Sequence, residues 1–99
     1  MAQTEKEIIE KFRKYIFEKK GAPSEWYVGI SSDPQKKMFK DHHVDKKTDF
    51  WMYEFAPDSP TAHRAVDQML MMGYDGDPGR KEPASMGVYL YRKRQHTKE

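Results

Sequence analysis

The residues best suited to chemistry lie in Tyr27-Val28-Gly29-Ile30-Ser31-Ser32-Asp33-Pro34. This stretch reads as a strand that stops at a helix start signal, with a glycine inside the strand. A lysine-rich amphipathic run to His42-His43 follows at once. Such an arrangement holds a tyrosine, a basic side chain and a polar helix end close together. That combination suits phosphate, whose chemistry needs positive charge where negative charge develops.

Other constellations carry less. Asp41, His42, His43 and Asp45 invite a zinc reading, but adjacent helical residues point in different directions and rarely share one ion. A helix C-terminus favouring a charged imidazole accounts for His42 and His43 more simply. His63 and His96 have no partner that the sequence identifies. Asp75-Gly76-Asp77-Pro78-Gly79 places two carboxylates two residues apart, yet lacks the rest of a twelve-residue calcium loop. It reads as a Gly/Pro turn, with Arg80 and Lys81 beside it as candidate phosphate contacts. In Met69-Leu70-Met71-Met72 the helical spacing puts Met69 and Leu70 in the core and leaves Met71 or Met72 outside as an adaptable surface. Trp26, Trp51, Tyr53 and Tyr74 are of types that stack on bases, although a chain poor in aliphatic residues must spend most of its aromatics on its core. No Ser-His-Asp, Cys-His, Walker or dinucleotide pattern occurs.

Composition bounds these readings. Ninety-nine residues make a single domain, 1–99, with a small core. Hydrophobic residues are 36% and charged residues 34% of the chain, but 13% aromatics and a net charge of only +2 set it apart from self-repelling disordered sequences. The chain has no cysteine, which excludes disulfides and thiolate metal sites and suits a reducing compartment. With no apolar stretch for a signal peptide or a membrane span, the expected location is the cytoplasm and no membrane partner is expected. The basic excess is uneven: Lys36, Lys37, Lys40, Lys46 and Lys47 form one cluster and Arg92, Lys93 and Arg94 another.

The elements that must position these residues follow from periodicity. Thr4-x-x-Glu7 is a capping box, and Ile8, Ile9, Phe12 and Ile16 recur at helical spacing up to Gly21 and Pro23, predicting a helix over about 4–20. A competing reading makes Lys14–Glu18 a strand paired with Trp26–Ser31, but the unbroken 3.6-residue period favours the helix. Glu25–Ile30 is a strand, and Ser32 or Asp33 caps a second helix with Pro34 in its first turn. Asp49–Phe55 carries large residues on both faces and reads as a central, covered strand. Ser59-Pro60 opens a third helix with core stripe Ala62, Ala65, Val66, Met69 and Leu70, ended by Gly73. Residues 74–85 read as a loop, Gly87–Tyr91 as a last strand able to add antiparallel at either edge, and 92–99 as a fraying tail. Disorder is expected at 1–3 and 94–99. The fold class is α/β, in the order α-β-α-β-α-β, with a small three-stranded sheet flanked by three helices.

Tyr27-Val28-Gly29, the polar turn Ser31-Ser32-Asp33-Pro34, the following helix and the strand Trp51–Phe55 together resemble the second half of a GIY-YIG endonuclease domain, over about residues 26–73. The resemblance implies a GIY-YIG-like fold that engages DNA or RNA, with metal-dependent phosphodiester cleavage where the site is intact. It places Lys37 at the family's arginine, Asp41 or His42 at its His or Tyr, and Asp67 at its metal-binding glutamate. Gly87-Val88-Tyr89 matches the missing first tripeptide at a rearranged place in the chain, if the last strand lies beside Tyr27. The implied roles are Tyr27 and Tyr89 as base and partner, Lys37 as phosphate cation, His42 as auxiliary acid-base group and Asp67 as ligand of Mg²⁺ or Mn²⁺. Lys36, Lys40, Arg80 and Lys81 would touch nucleic acid. Lysine for arginine replaces a bidentate fork by a point charge, and aspartate for glutamate shortens the reach to a metal, so the implied active site is degenerate. The alternatives from another class are a non-catalytic protein-binding module and a small regulator of a nucleic-acid enzyme.

Overall fold

The computed structural model describes residues 4–78, 84–95 and 97. Helix α1, Glu5–Lys19, begins at the capping box: the Thr4 hydroxyl accepts the Glu7 N–H at 3.1 Å and the Glu7 carboxylate accepts the Thr4 N–H at 3.0 Å. The Thr4 backbone N–H, followed by the Thr4 side chain, holds the Glu7 carboxyl below its usual value. Ile8, Ile9, Phe12 and Ile16 form the buried stripe. The helix stops where Lys20 and Gly21 turn to positive φ, 65° and 118°. A 3-10 turn, Pro23–Glu25, leads into strand β1, Trp26–Ser31.

Asp33 caps α2, Pro34–Lys36, accepting the Lys36 N–H at 3.2 Å. After this one turn the helix widens to a π-helical segment, Lys37–Asp41, closed by the His42 N–H on the Lys37 carbonyl at 3.0 Å. Strand β2 is Trp51–Phe55. Helix α3, Ser59–Met71, is capped by Asp58, whose carboxylate accepts the Thr61 N–H at 2.8 Å. Strands β3, Asp75–Gly76, and β4, Gly87–Arg92, complete the order.

The chain is α/β, and among the described residues its sheet has four strands in the order β2-β4-β1-β3 rather than the expected three. The additional strand, β3, comes from the segment read as a loop. It runs parallel to β1, with Tyr27 opposite Asp75 and Val28 opposite Gly76, and two residues are too few to leave a periodic signal in the sequence. β4 lies antiparallel between β1 and β2, so β1, β2 and β3 all run one way. The last strand is therefore central, not an edge addition, which its burial on both faces explains. Conversely, Trp51–Phe55 is an edge strand and only partly buried, because its large residues face a single neighbouring strand. The expected fraying at Arg92 and Lys93 is also corrected. The Arg92 N–H donates to the Phe50 carbonyl at 3.0 Å, the Lys93 N–H to Glu25 at 2.7 Å, and the Lys93 ammonium to Asp75 at 2.8 Å.

The sheet separates two apolar clusters. On one face Trp26, Val28, Ile30, Val88 and Leu90 meet α1 and α3 through Ile8, Phe12, Ala62, Ala65, Val66 and Met69. Each of the larger of these side chains contributes about 1.5–3 kcal/mol by leaving water. On the other face Tyr27, Tyr89 and Tyr91 meet Met38 and Val44, with Phe39, Trp51 and Tyr53 at the margin. Among the described residues no helix is long and apolar enough to cross a membrane.

Candidate functional site

The second face is built from tyrosines because β1 and β4 alternate. Tyr27 and Gly29 share one side of β1, and Tyr89 and Tyr91 share the same side of β4. The register sets Tyr27 opposite Tyr91 and Gly29 opposite Tyr89. Tyr27 stacks on Tyr91 with centroids 5.3 Å apart and planes at 29°. Tyr89 and Tyr91 are near-parallel at 6.5 Å. Tyr89 lies across Gly29, where a Cβ would overlap its ring carbon Cζ and its hydroxyl oxygen.

The π-helical segment delivers His42 into this layer. One extra residue in the turn rotates the chain so that His42 is buried, 5% exposed, while its neighbour His43, at φ 60°, remains outside. Its Nε2 lies 2.8 Å from the Tyr89 hydroxyl and its Nδ1 3.1 Å from the Tyr91 hydroxyl. A neutral imidazole has one N–H and one lone pair, so one phenol donates to the ring while the other accepts from it. Both ring nitrogens and both hydroxyls are thereby satisfied in a low-dielectric layer, which makes the cluster rigid. His42 stands at the C-terminal end of the π-helical segment, as a helix-end residue, and its side chain is a buried bridge between two phenols.

Three of the expected site residues, Tyr27, Tyr89 and His42, thus meet on one face, and Tyr89 lies on the strand beside Tyr27. All three are buried, at 7%, 1% and 5% exposure. Lys37 belongs to the segment that covers them, but its ammonium faces Asp41 at 3.5 Å. It lines a polar depression of about 260 Å³ with Ser31, Ser32, Asp33, Lys36 and Asp41. Lys36, at the end of α2, and Lys40, on that segment, are exposed. Asp67 is elsewhere: it is exposed on α3, the helix that covers the opposite face of the sheet. Arg80 and Lys81 lie outside the described residues.

As a holder of Mg²⁺ or Mn²⁺, Asp67 offers a lone carboxylate. Among the described residues no group of three or more His, Cys, Asp or Glu side chains converges on a point. The whole sheet stands between Asp67 and the tyrosines, so the residues present do not fit a metal beside the tyrosine–histidine cluster.

Sequence reasoning missed Tyr91 and the role of Gly29. The signal was present in the period-two spacing of Tyr89 and Tyr91 and of Tyr27 and Gly29, which puts each pair on one face. The π-turn that points His42 inward had no signal of its own.

Around the cluster the electrostatics are lopsided. Of Lys36, Lys37, Lys40, Lys46 and Lys47, only Lys37 takes part in an ion pair among the described residues. Lys46 instead places its ammonium 5.7 Å from the Phe39 ring centre. Elsewhere, Tyr15 accepts the Trp51 N–H at 3.1 Å, and burial pushes its phenol above the usual value despite that bond.

No protein-family model matches the chain, and no curated protein or solved structure shows significant similarity to it.

Proposed function

We propose that this domain binds nucleic acid through the lysines of the layer over its tyrosine face, as a GIY-YIG-like domain that no longer cuts. The observation that carries this reading is the cluster of Lys36, Lys40, Lys46 and Lys47, which have no carboxylate partner among the described residues. Cations without a carboxylate partner are available to phosphate, and their counterions are released on binding. The likeness to GIY-YIG domains is supported by β4 lying antiparallel beside β1, where Tyr89 is opposite Gly29 and Gly87 opposite Ser31, with His42 on Tyr89. Loss of cleavage is supported by the burial of Tyr27, Tyr89 and His42 and by the distant position of Asp67.

The test is binding of labelled single- and double-stranded DNA and RNA across a salt series, with Mg²⁺ and Mn²⁺ cleavage followed in the same samples. Four phosphate contacts give a log–log salt slope of about −3 to −4. Lys36→Glu and Lys40→Glu should each weaken binding and flatten that slope, and no substrate should be cut. Absence of binding at low salt, or binding indifferent to these substitutions, rejects the reading.

A protein-binding module is the second reading. It is favoured by Phe17 and Met71, which are 83% and 87% exposed, and by a cavity of about 460 Å³ lined by Arg13, Ile16, Phe17, Lys20, Gly21 and Tyr74.

A further inference from the structure

Trp51, Tyr53 and Phe55 project from alternate positions of the edge strand β2, on the face that carries the π-helical segment. The Trp51 and Tyr53 rings are parallel within 3° with centroids 6.3 Å apart. Phe55 stands edge-on to Tyr53 at 5.9 Å and is 48% exposed. Phe39 closes the other end, edge-on to Trp51 at 4.9 Å. Lys46 is fixed at that end, since its carbonyl accepts the Trp51 indole N–H at 3.1 Å while its ammonium lies over Phe39.

The neighbouring strand β4 shows what a purely structural ladder looks like. Tyr89 and Tyr91 are also near-parallel, but they are 1% and 0% exposed and their hydroxyls are bonded to His42. The β2 rings lie at the rim of the sheet and are only partly buried. Their 6.3 Å separation is the ordinary spacing of alternate residues on a strand, so the two parallel rings and Phe55 offer a row of flat apolar surface along the sheet rim on which planar bases can stack. The charges nearest the ladder are basic: the Lys46 ammonium lies over Phe39, Lys40 is the next residue after Phe39 and is exposed, and Lys36 is exposed at the end of α2, the turn that leads into the same segment. The acidic groups here are engaged with neighbours, Asp41 with Lys37 and Asp45 with the Lys47 and Thr48 N–H groups. Glu54 points to the other face, where it meets Lys11.

We propose that Trp51, Tyr53 and Phe55 form a stacking platform for the unpaired bases of a single-stranded nucleic acid, its phosphates following Lys36, Lys40 and Lys46. This rests on the nucleic-acid reading above and adds the strand form. Bases in a duplex are already stacked on each other and cannot offer their faces to a ladder of rings, so the platform selects single strands.

The experiment follows intrinsic tryptophan fluorescence while a short oligothymidylate is added. Trp26 is fully buried, so any quenching by stacked bases reports on Trp51. The expected results are quenching, preference for the single strand over a duplex of equal length, and about five- to one-hundred-fold weaker binding for Tyr53→Leu and for Phe55→Leu. Phe55 is half exposed, so Phe55→Leu keeps the fold and leaves the test readable even if Tyr53→Leu does not. If the oligonucleotide binds and Lys36→Glu weakens it, while fluorescence and both Leu variants are unaffected, the platform is overturned and the nucleic-acid reading stands. If no nucleic acid binds at all, both fall together.

Discussion

The Tyr89 phenol occupies the space in front of Gly29 that any side chain there would need. The two residues are register partners on β1 and β4, so the missing Cβ is what lets Tyr89 lie flat and reach His42. Gly29→Ala should therefore destabilise the domain by about 1–3 kcal/mol through overpacking. In urea unfolding, Gly29→Ala combined with Tyr89→Leu should cost less than the sum of the two single changes, because the larger clash is gone. Additive costs would mean that the two sites do not share that space.

Removing one hydroxyl from the buried bridge isolates its histidine partner. Tyr89→Phe leaves His42 Nε2 without its phenol and should cost about 1–3 kcal/mol, the range for a buried polar group left unsatisfied. His42→Leu in the Tyr89→Phe background should add a further cost of similar size, because it also leaves the buried Tyr91 hydroxyl without its partner. A Tyr89→Phe variant as stable as the parent would show that the bond contributes nothing net.

Acid should unfold the domain through its capping and bridging carboxyls. Asp58 is held below the usual value first by the Thr61 side chain and then by the Thr61 N–H, and Asp75 chiefly by the Lys93 ammonium. A depressed folded-state value means that the native state favours the ionised form. The resulting stability is present above the ordinary carboxylate value of about 4 and is lost as pH falls through the lower folded-state values. Urea midpoints measured downward from pH 7 should fall below about pH 4, and Asp58→Asn with Asp75→Asn should flatten that fall. An unchanged acid slope in the double variant would assign the acid sensitivity to other groups.

Asp67 separates a surface residue from a metal ligand. Exposed on α3, it should tolerate Asp67→Ala with a stability change within about 0.5 kcal/mol and no effect on oligonucleotide binding. Nuclease activity abolished by this substitution would reinstate cleavage.

Much of this fold could be read from local signals. The Thr4/Glu7 box, the Asp33-Pro34 start and the Ile8-Phe12-Ile16 stripe are contained within a few residues of chain, and each element they announce is there. What could not be read depends on partners distant in sequence. Trp51–Phe55 has the composition of a central strand, and only the position of β4 makes it an edge. The site divides in the same way. Tyr27, Tyr89 and His42 stand out in the sequence, but Tyr91 and the inward turn of His42 depend on pairing and on a π-turn that no spacing rule announces. Asp67 matches the resemblance only by its offset along the chain, and that offset does not reveal which side of a sheet a helix will cover.

The place of β4 also governs how this molecule is made. Among the described residues β1 and β2 share no ladder; each is joined to the last strand, and β3 joins only β1. Until Gly87–Arg92 arrives, the half-assembled chain must hold its Tyr-Val-Gly-Ile segment unpaired on one flank, and the long loops have to close before any contact rewards them. Folding should accordingly be slow for a chain of this length and all-or-none. Clipping the final strand would not trim a margin but divide the sheet in two.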